Sequence, residues 1–366
     1  MRILTVVGNR PQFVKAAAVS RHLRRHATEV LVHSGQHYDE ALSAVFFEEL
    51  PLPHPDHMLG VGSGSHAAQT AATMSRLEPL VRAELPDAML VYGDTNTTLA
   101  AALVGAKLPV PVVHVEAGMR SFDPSMPEEV NRVLADRLGR LLLCPTGTAV
   151  ANLGAEGLEE RARLVGDPMA DVALELGPVA RRRSTVLERL GLRPGGFLVA
   201  TLHRAANVDE AAALARAVEL LAAATASRGP LVLPLHPRTR SRLEAAGMAG
   251  RLEGAGVLVT EPLGYLDFSC LLAGARALLT DSGGLQKEAY LAGVPCLTLR
   301  EETEWVELVE SGWNRLVGLD REKALEALGE MLRPGRLPPP DPDLYGGGEA
   351  GERCVRALLE WGATEL

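Results

Sequence analysis

The sequence predicts an α/β fold of two doubly wound parallel-sheet domains, and three observations carry the prediction. Short apolar runs of β-forming residues alternate with longer helical patterns, as expected of strands joined by crossover helices. The alternation runs to about residue 168 and begins again near residue 197. Polar residues gather directly after the strands of both series, where doubly wound sheets bind ligands. Two Rossmann-like domains with a cleft between them are therefore expected, at 1–168 and 169–348, with a final helix in 349–366 packing back on the first. A length of 366 residues is enough to give each domain its own core.

In the first series the strands read as 2–7, 29–33, 88–92, 111–115 and 140–144, with helices at 11–25, 65–84, 96–107 and 128–138. The stretch 164–168 reads as a last strand and crossover. In the second series the strands are 197–201, 230–234, 256–259, 276–280 and 294–299. Helices at 209–227, 238–246, 267–273 and 284–292 separate them. The Pro- and Gly-rich stretch 333–348 is a linker.

Composition narrows the function. A net charge of −9 argues against a nucleic-acid partner, whose footprint is usually basic. No apolar run reaches the ~18 residues that span a bilayer. The start, Met1 to Gly8, is too short for a signal peptide and leads into the first strand, so a cytoplasmic location is expected. Cys144, Cys270, Cys296 and Cys354 are far apart with no CxxC pair, so buried thiols are expected, and no metal-binding cluster is evident. Of 37 basic residues only four are lysines, which makes Lys15 conspicuous.

The segment 277–299 is the most informative. A buried strand ends in Ser282-Gly283-Gly284, and a helix begins there. Glycine admits an anion close to the backbone, and the free amides and positive end of the helix dipole hold it. A diphosphate suits this turn, and Glu288, one turn further on, suits ribose hydroxyls. An ordinary strand-to-helix turn is the plainer reading.

Other strand ends carry the remaining polar groups. After the first strand, Pro11 fits the first helical turn, and Arg10 and Lys15 suit a phosphate or a carboxylate. Asp94 follows the third strand and either caps a helix or acts chemically. Glu116 ends the next apolar run, as the partner of an arginine or as a functional acid. Glu128 and Arg132 stand i, i+4 on one helix, the spacing of a salt bridge. Three carboxylates from successive loops of one domain suit acid/base work on a sugar. In the second domain His203, Arg204 and His236 lie at strand ends. No G-x-G-x-x-G follows the first strand, no P-loop is present and no G-x-S-x-G elbow occurs, which leaves dinucleotide redox, P-loop and hydrolase chemistry poorly supported.

With these residues assembled, the chain resembles the non-hydrolysing UDP-N-acetylglucosamine 2-epimerases, of the GT-B fold. The matching motifs are Gly8-x-Arg-Pro-x-x-x-Lys15, Ser34-Gly-Gln-His37, Gly93-Asp-Thr95, His114-Val-Glu-Ala-Gly118, Pro127-Glu-Glu-x-Asn-Arg132, His203-Arg204 and Thr280-Asp-Ser-Gly-Gly-x-Gln-x-Glu288, in family order. The resemblance implies interconversion of UDP-N-acetylglucosamine and UDP-N-acetylmannosamine, through elimination of UDP, a 2-acetamidoglucal and re-addition. It implies no cofactor, a UDP-sugar as the partner and a homodimer. Carried over by motif, Asp94, Glu116 and Glu128 are the acid/base candidates, and His203 stabilises the leaving diphosphate. Arg10 and Ser282 to Gly284 hold the nucleotide, with Arg132 also in the substrate site. Lys15 lies near the sugar, Glu288 on the ribose and Phe268 by the uracil.

The chain departs from the family pattern at three places. Trp305 stands where the family has an arginine that binds nucleotide, so that either another arginine such as Arg300 or Arg315 substitutes or the affinity for UDP is lower. Ala205 and Ala206 follow the His-Arg motif in place of a glutamate. Ala68 stands where members activated by a second substrate molecule have an arginine, although Gln36, His37 and His236 remain. A UDP-sugar glycosyltransferase, a hydrolysing epimerase and a nucleotide-sugar binding module are the alternatives to the epimerase.

Overall fold

Two sheets form among the described residues, and every strand pair in both is parallel. The structure, a computed structural model, describes residues 1–35, 52–341 and 343–366. Gln36 and His37 lie outside them. The chain divides into two compact units, Met1–Leu174 with Pro342–Leu366, and Glu175–Asp341.

The strands of the first unit are β1 (Arg2–Val7), β2 (Thr28–His33), β3 (His57–Met58), β4 (Ala88–Tyr92), β5 (Val112–Val115), β6 (Leu141–Cys144) and β7 (Ala162–Leu164). Their order is β3-β2-β1-β4-β5-β6-β7. The chain leaves β1 toward one edge and returns to the other side of β1 with β4. That reversal opens a crevice above the carboxyl ends of β1 and β4. The strands read as nearly unbroken apolar runs because helices cover both faces.

Helix boundaries follow local chemistry. Helix α1 (Arg10–Leu23) starts with Asn9 as N-cap and Pro11 in its first turn. Helix α2 spans His66–Glu84, with Ser65 as its cap. Helix α3 (Asn96–Lys107) begins with a reciprocal capping box between Thr95 and Thr98. Helix α4 (Pro127–Leu138) has proline at N1, and α5 spans Gly147–Ala155. The stretch read from sequence as the last strand is a connection instead. β7 ends at Leu164, and helix α6 (Pro168–Arg183) begins at the proline.

The strands of the second unit are β8 (Leu198–Thr201), β9 (Leu231–Pro234), β10 (Val257–Thr260), β11 (Leu278–Thr280), β12 (Cys296–Thr298) and β13 (Asn314–Leu316), in the order β10-β9-β8-β11-β12-β13. Here the reversal lies between β8 and β11. Alternate residues serve opposite faces. Leu198, Ala200, Leu231 and Leu279 enter one core, and Phe197, Val199, Val232 and Leu278 enter the other. The longer helices are α7 (Ala211–Arg228), α8 (Pro237–Ala245), α9 (Tyr265–Ala273), α10 (Gly283–Leu291) and α11 (Arg321–Met331).

The last helix, α12 (Ala350–Glu365), belongs to the first unit. Gly351 packs so closely on α1 that a Cβ there would stand 2.5 Å from the carbonyl oxygen of Ala18. Buried Asp171 accepts the amides of Ala350 and Gly351 at 3.0 and 2.7 Å, satisfying donors at the start of α12.

Candidate active-site residues

In the first unit, the loops after β1, β4 and β5 meet beside the reversal in strand order. Gln12 joins the first two. Its side chain accepts the amide of Gly8 at 2.7 Å and donates to the carbonyl of Tyr92 at 2.7 Å. It also donates to the hydroxyls of Thr95 and Thr98, at 3.0 and 2.9 Å. Lys15, one turn further along α1, forms an ion pair with Glu116, and the two side chains are only 7% and 10% exposed. Burial makes this pair matter: either charge alone at that depth would be costly. Glu116 has φ +69, a strained conformation for a side-chain-bearing residue, and Gly93 abuts the pair. A Cβ on Gly93 would lie 3.0 Å from Glu116 Oε2 and 3.3 Å from Lys15 Nζ and so crowd the pair, and its φ of +60 also favours glycine.

Asp94 is paired with Arg132 of α4, and its carbonyl accepts from the Asn131 side chain at 2.9 Å. Arg132 also binds Glu129, at 3.0 Å. Glu129 further accepts the amides of Ser121 and Phe122, at 2.9 and 3.1 Å, and the Ser121 hydroxyl at 3.0 Å. The i, i+4 spacing of Glu128 and Arg132 is thus not what orients the arginine. Asp94 and Glu129 do that. Glu128 is partly buried in the first turn of α4. Successive helical residues are about 100° apart, which sets Glu128 off from Glu129. Arg10 is exposed at the start of α1.

Below these groups lies a buried cluster. His114 Nδ1 is 2.7 Å from Asp136 Oδ1, and Arg120 is 2.8 Å from Asp136 Oδ2. Gly118 donates its amide to the same oxygen at 3.1 Å, and Arg120 forms a two-pronged pair with Glu156 at 2.7 and 2.9 Å. Burial pushes the Asp136 carboxyl up. The charges and hydrogen bonds of His114 and Arg120 outweigh that and hold it below the usual carboxylate range.

In the second unit, the loops after β8 and β11 meet at the other reversal. Asp281, fully buried, lies 2.9 Å from His203 Nδ1. It accepts the amides of His203 and Arg204 and the Asn207 side chain, between 2.9 and 3.2 Å. Burial raises the Asp281 carboxyl, and these partners, His203 foremost, more than reverse the shift. The bond to Asp281 places a proton on His203 Nδ1, whose side chain is 41% exposed.

Ser282 stands at the N-cap of α10 in an extended conformation, and its hydroxyl makes no cap bond. The first amides of α10, from Gly283 and Gly284 onward, therefore lack a cap from Ser282, as an anion site requires. Buried beside this turn, Glu304 receives a two-pronged contact from Arg300 at 3.0 and 3.1 Å. Trp305 carries the Lys287 ammonium 3.7 Å above its ring. Arg315 instead faces Glu330, at 3.7 Å. Glu288 is nearly buried one turn into α10. Phe268 lies among the core residues of the unit. His236 caps α8 by accepting the Arg238 amide at 3.2 Å, and its ring is 5.9 Å from that of His203.

Sequence reasoning missed Gln12, Glu129, Asp136 and Asp281 as organising residues. Glu129, Asp136 and Asp281 are carboxylates inside otherwise apolar or buried patterns, the signal of a paired group. Nothing local marks Gln12.

Residues 21–359 match the family model described as UDP-N-acetylglucosamine 2-epimerase. A UDP-2,3-diacetamido-2,3-dideoxy-D-glucuronate 2-epimerase of Pseudomonas aeruginosa is 45% identical, covering 98% of this chain and 100% of that one. A UDP-N-acetylglucosamine 2-epimerase of Methanocaldococcus jannaschii is 40% identical, covering 98% and 99%. The crystal structure of Methanocaldococcus jannaschii UDP-GlcNAc 2-epimerase in complex with UDP-GlcNAc and UDP superposes with a TM-score of 0.92 at 39% identity, covering 98% and 100%. The two parallel α/β units are thus those of a GT-B-type fold. The chain belongs to the UDP-N-acetylglucosamine 2-epimerase family.

Proposed function

We propose that this protein interconverts UDP-N-acetylglucosamine and UDP-N-acetylmannosamine without net hydrolysis. One carboxylate removes the proton at sugar carbon 2 while UDP leaves carbon 1. A 2-acetamidoglucal and UDP are retained. UDP then adds back as a proton reaches the opposite face of carbon 2. The observation that carries the reading is the set of acids on successive strand-end loops of one unit. Glu116 is paired with Lys15 and Asp94 with Arg132, and Glu128 lies on the helix that supplies Arg132. Removal of a carbon-bound proton on one face and its return on the other call for more than one acid/base group, which this set supplies.

The other unit supplies the groups suited to the leaving nucleotide. These are the open amides of α10, His203 fixed by Asp281, and Glu288 for ribose hydroxyls. We assign Ser282, Gly283 and Gly284 to the diphosphate.

A second substrate has specific support. The Pseudomonas aeruginosa relative, 45% identical over its whole length, is named for a diacetamido sugar acid, and the same chemistry at carbon 2 would serve it. We also infer a homodimer. Val130 and Leu134, exposed at i, i+4 on the outer face of α4, are apolar groups that association would cover.

Proton NMR with each UDP-sugar in deuterium oxide tests the reading. The expected result is the carbon-2 epimer with deuterium at that carbon. Free N-acetylmannosamine with UDP would identify a hydrolysing enzyme instead. Binding without any change in the sugar would identify a transferase or a binding module. Sedimentation velocity tests the dimer.

A further inference from the structure

We infer that His114 is held as a buried imidazolium and positions the loop that carries Asp94. His114 is wholly buried at the end of β5. Its Nε2 is 2.7 Å from the carbonyl oxygen of Gly93, and its Nδ1 is 2.7 Å from Asp136 Oδ1. A peptide carbonyl only accepts. A neutral imidazole has one N–H, so one of the two contacts would set lone pair against lone pair. Both contacts are satisfied when both nitrogens carry protons.

Placing the second proton on Asp136 instead is disfavoured by that residue's other partners. Its second oxygen takes Arg120 at 2.8 Å and the Gly118 amide at 3.1 Å, both of which favour the carboxylate. The surrounding charges agree. Asp136 from α4 and Glu156 after α5 are anionic, and Arg120 after β5 is cationic. Cys144 of β6 stays a thiol, since burial pushes it up to about 12. A charged His114 balances this cluster, whereas a neutral ring leaves Arg120 alone to offset both buried Asp136 and partly exposed Glu156.

The consequence reaches the proposed acids. The Gly93 amide donates to the Val115 carbonyl at 2.9 Å, so β5 holds both the N–H and the C=O of Gly93, through Val115 and His114. Asp94 is the next residue. Asp136 holds Gly118 in the loop that also carries Glu116. One ion pair between β5 and α4 thereby sets Asp94 and Glu116 relative to the helix that bears Glu128. The charge state stands on geometry alone, and the effect on turnover rests on the epimerase reading.

The experiment is nitrogen NMR of isotope-labelled protein at pH 7.5, with the His114 ring assigned through its correlations to the His114 backbone. Two imidazolium-type nitrogens with slowly exchanging protons are expected in the wild type, and a neutral single-proton ring in Asp136→Asn. A neutral ring in the wild type overturns the proposal, and that spectrum decides even if a variant fails to fold. In turnover assays Asp136→Asn should lower kcat by about tenfold or more and leave KM within roughly threefold. Unchanged kcat overturns the positioning role. A wild type that turns over neither UDP-sugar sinks the functional reading, and the spectrum still settles the charge state.

Discussion

His203 and Asp281 form a dyad whose buried member does most of the organising. Asp281 Oδ1 is 2.9 Å from His203 Nδ1, and the same carboxylate takes the amides of His203 and Arg204. Asp281 immediately precedes the Ser282-Gly283-Gly284 turn, so one residue fixes both the imidazole and the start of α10. Asp281→Asn should therefore lower kcat by roughly 10–100-fold and also raise KM for the UDP-sugar. Steady-state assays of the variant check this. Loss confined to kcat would separate the turn from the dyad.

The proposed acids and the groups assigned to the nucleotide belong to different units, so they should separate in experiment. Asp94→Asn, Glu116→Gln and Glu128→Gln should each cost about 10²–10⁴-fold in turnover. UDP affinity, measured by calorimetry, should stay within roughly threefold. Wild-type turnover in all three would end the proposed mechanism.

Gly283→Ala isolates ligand approach from protein packing. A Cβ there meets Glu304 Oε2 and Trp305 Nε1 only at 3.8 Å, an ordinary contact, and φ does not demand glycine. The melting temperature should hold or rise slightly, since alanine favours the helix. UDP binding should weaken by about tenfold if the backbone lies against the diphosphate. Unchanged affinity would remove the turn from the site.

His33 makes stability depend on pH. It is buried at the end of β2 with its ring 4.8 Å from that of Phe13. Burial lowers its value from 6.5 to about 4. The unfolded chain binds the proton more tightly, so the stabilisation is complete above about 6.5, falls as pH drops toward 4, and is then spent. The fall amounts to about 3 kcal/mol. Asp136 and Asp281 act at lower pH. Their folded carboxyls lie below the usual range, so their stabilisation is present above about 3.9 and is lost as pH falls further. Urea titrations from pH 7 to 3 should show two windows, and His33→Asn should flatten only the upper one.

Much of the fold was legible because its signals are local. Pro11 in the first turn of α1 and apolar runs bounded by turn residues mark element ends within a few positions, although Thr95, not Asp94, caps α3. The two-residue strand β3 was not legible, since so short a run has no period. The strand-end loops were located correctly, yet the partner of Arg132 was not. Helical spacing offers Glu128, whereas the folded chain presents Asp94 from another loop and Glu129 from the same helix.

The sequence by itself determined the two parallel series and the residue types delivered to most strand ends, though not β3, β13 or α11. Hydrophobic period, caps and glycine turns act over a few residues and need no distant partner. Only the tertiary structure decided which charge meets which. Lys15 and Glu116 are 101 positions apart, and His203 and Asp281 are 78 apart. They meet because β1, β4 and β5 are consecutive in one sheet and β8 lies beside β11 in the other. Strand order follows from how whole layers bury their apolar faces, a global energy balance that no short stretch of chain contains.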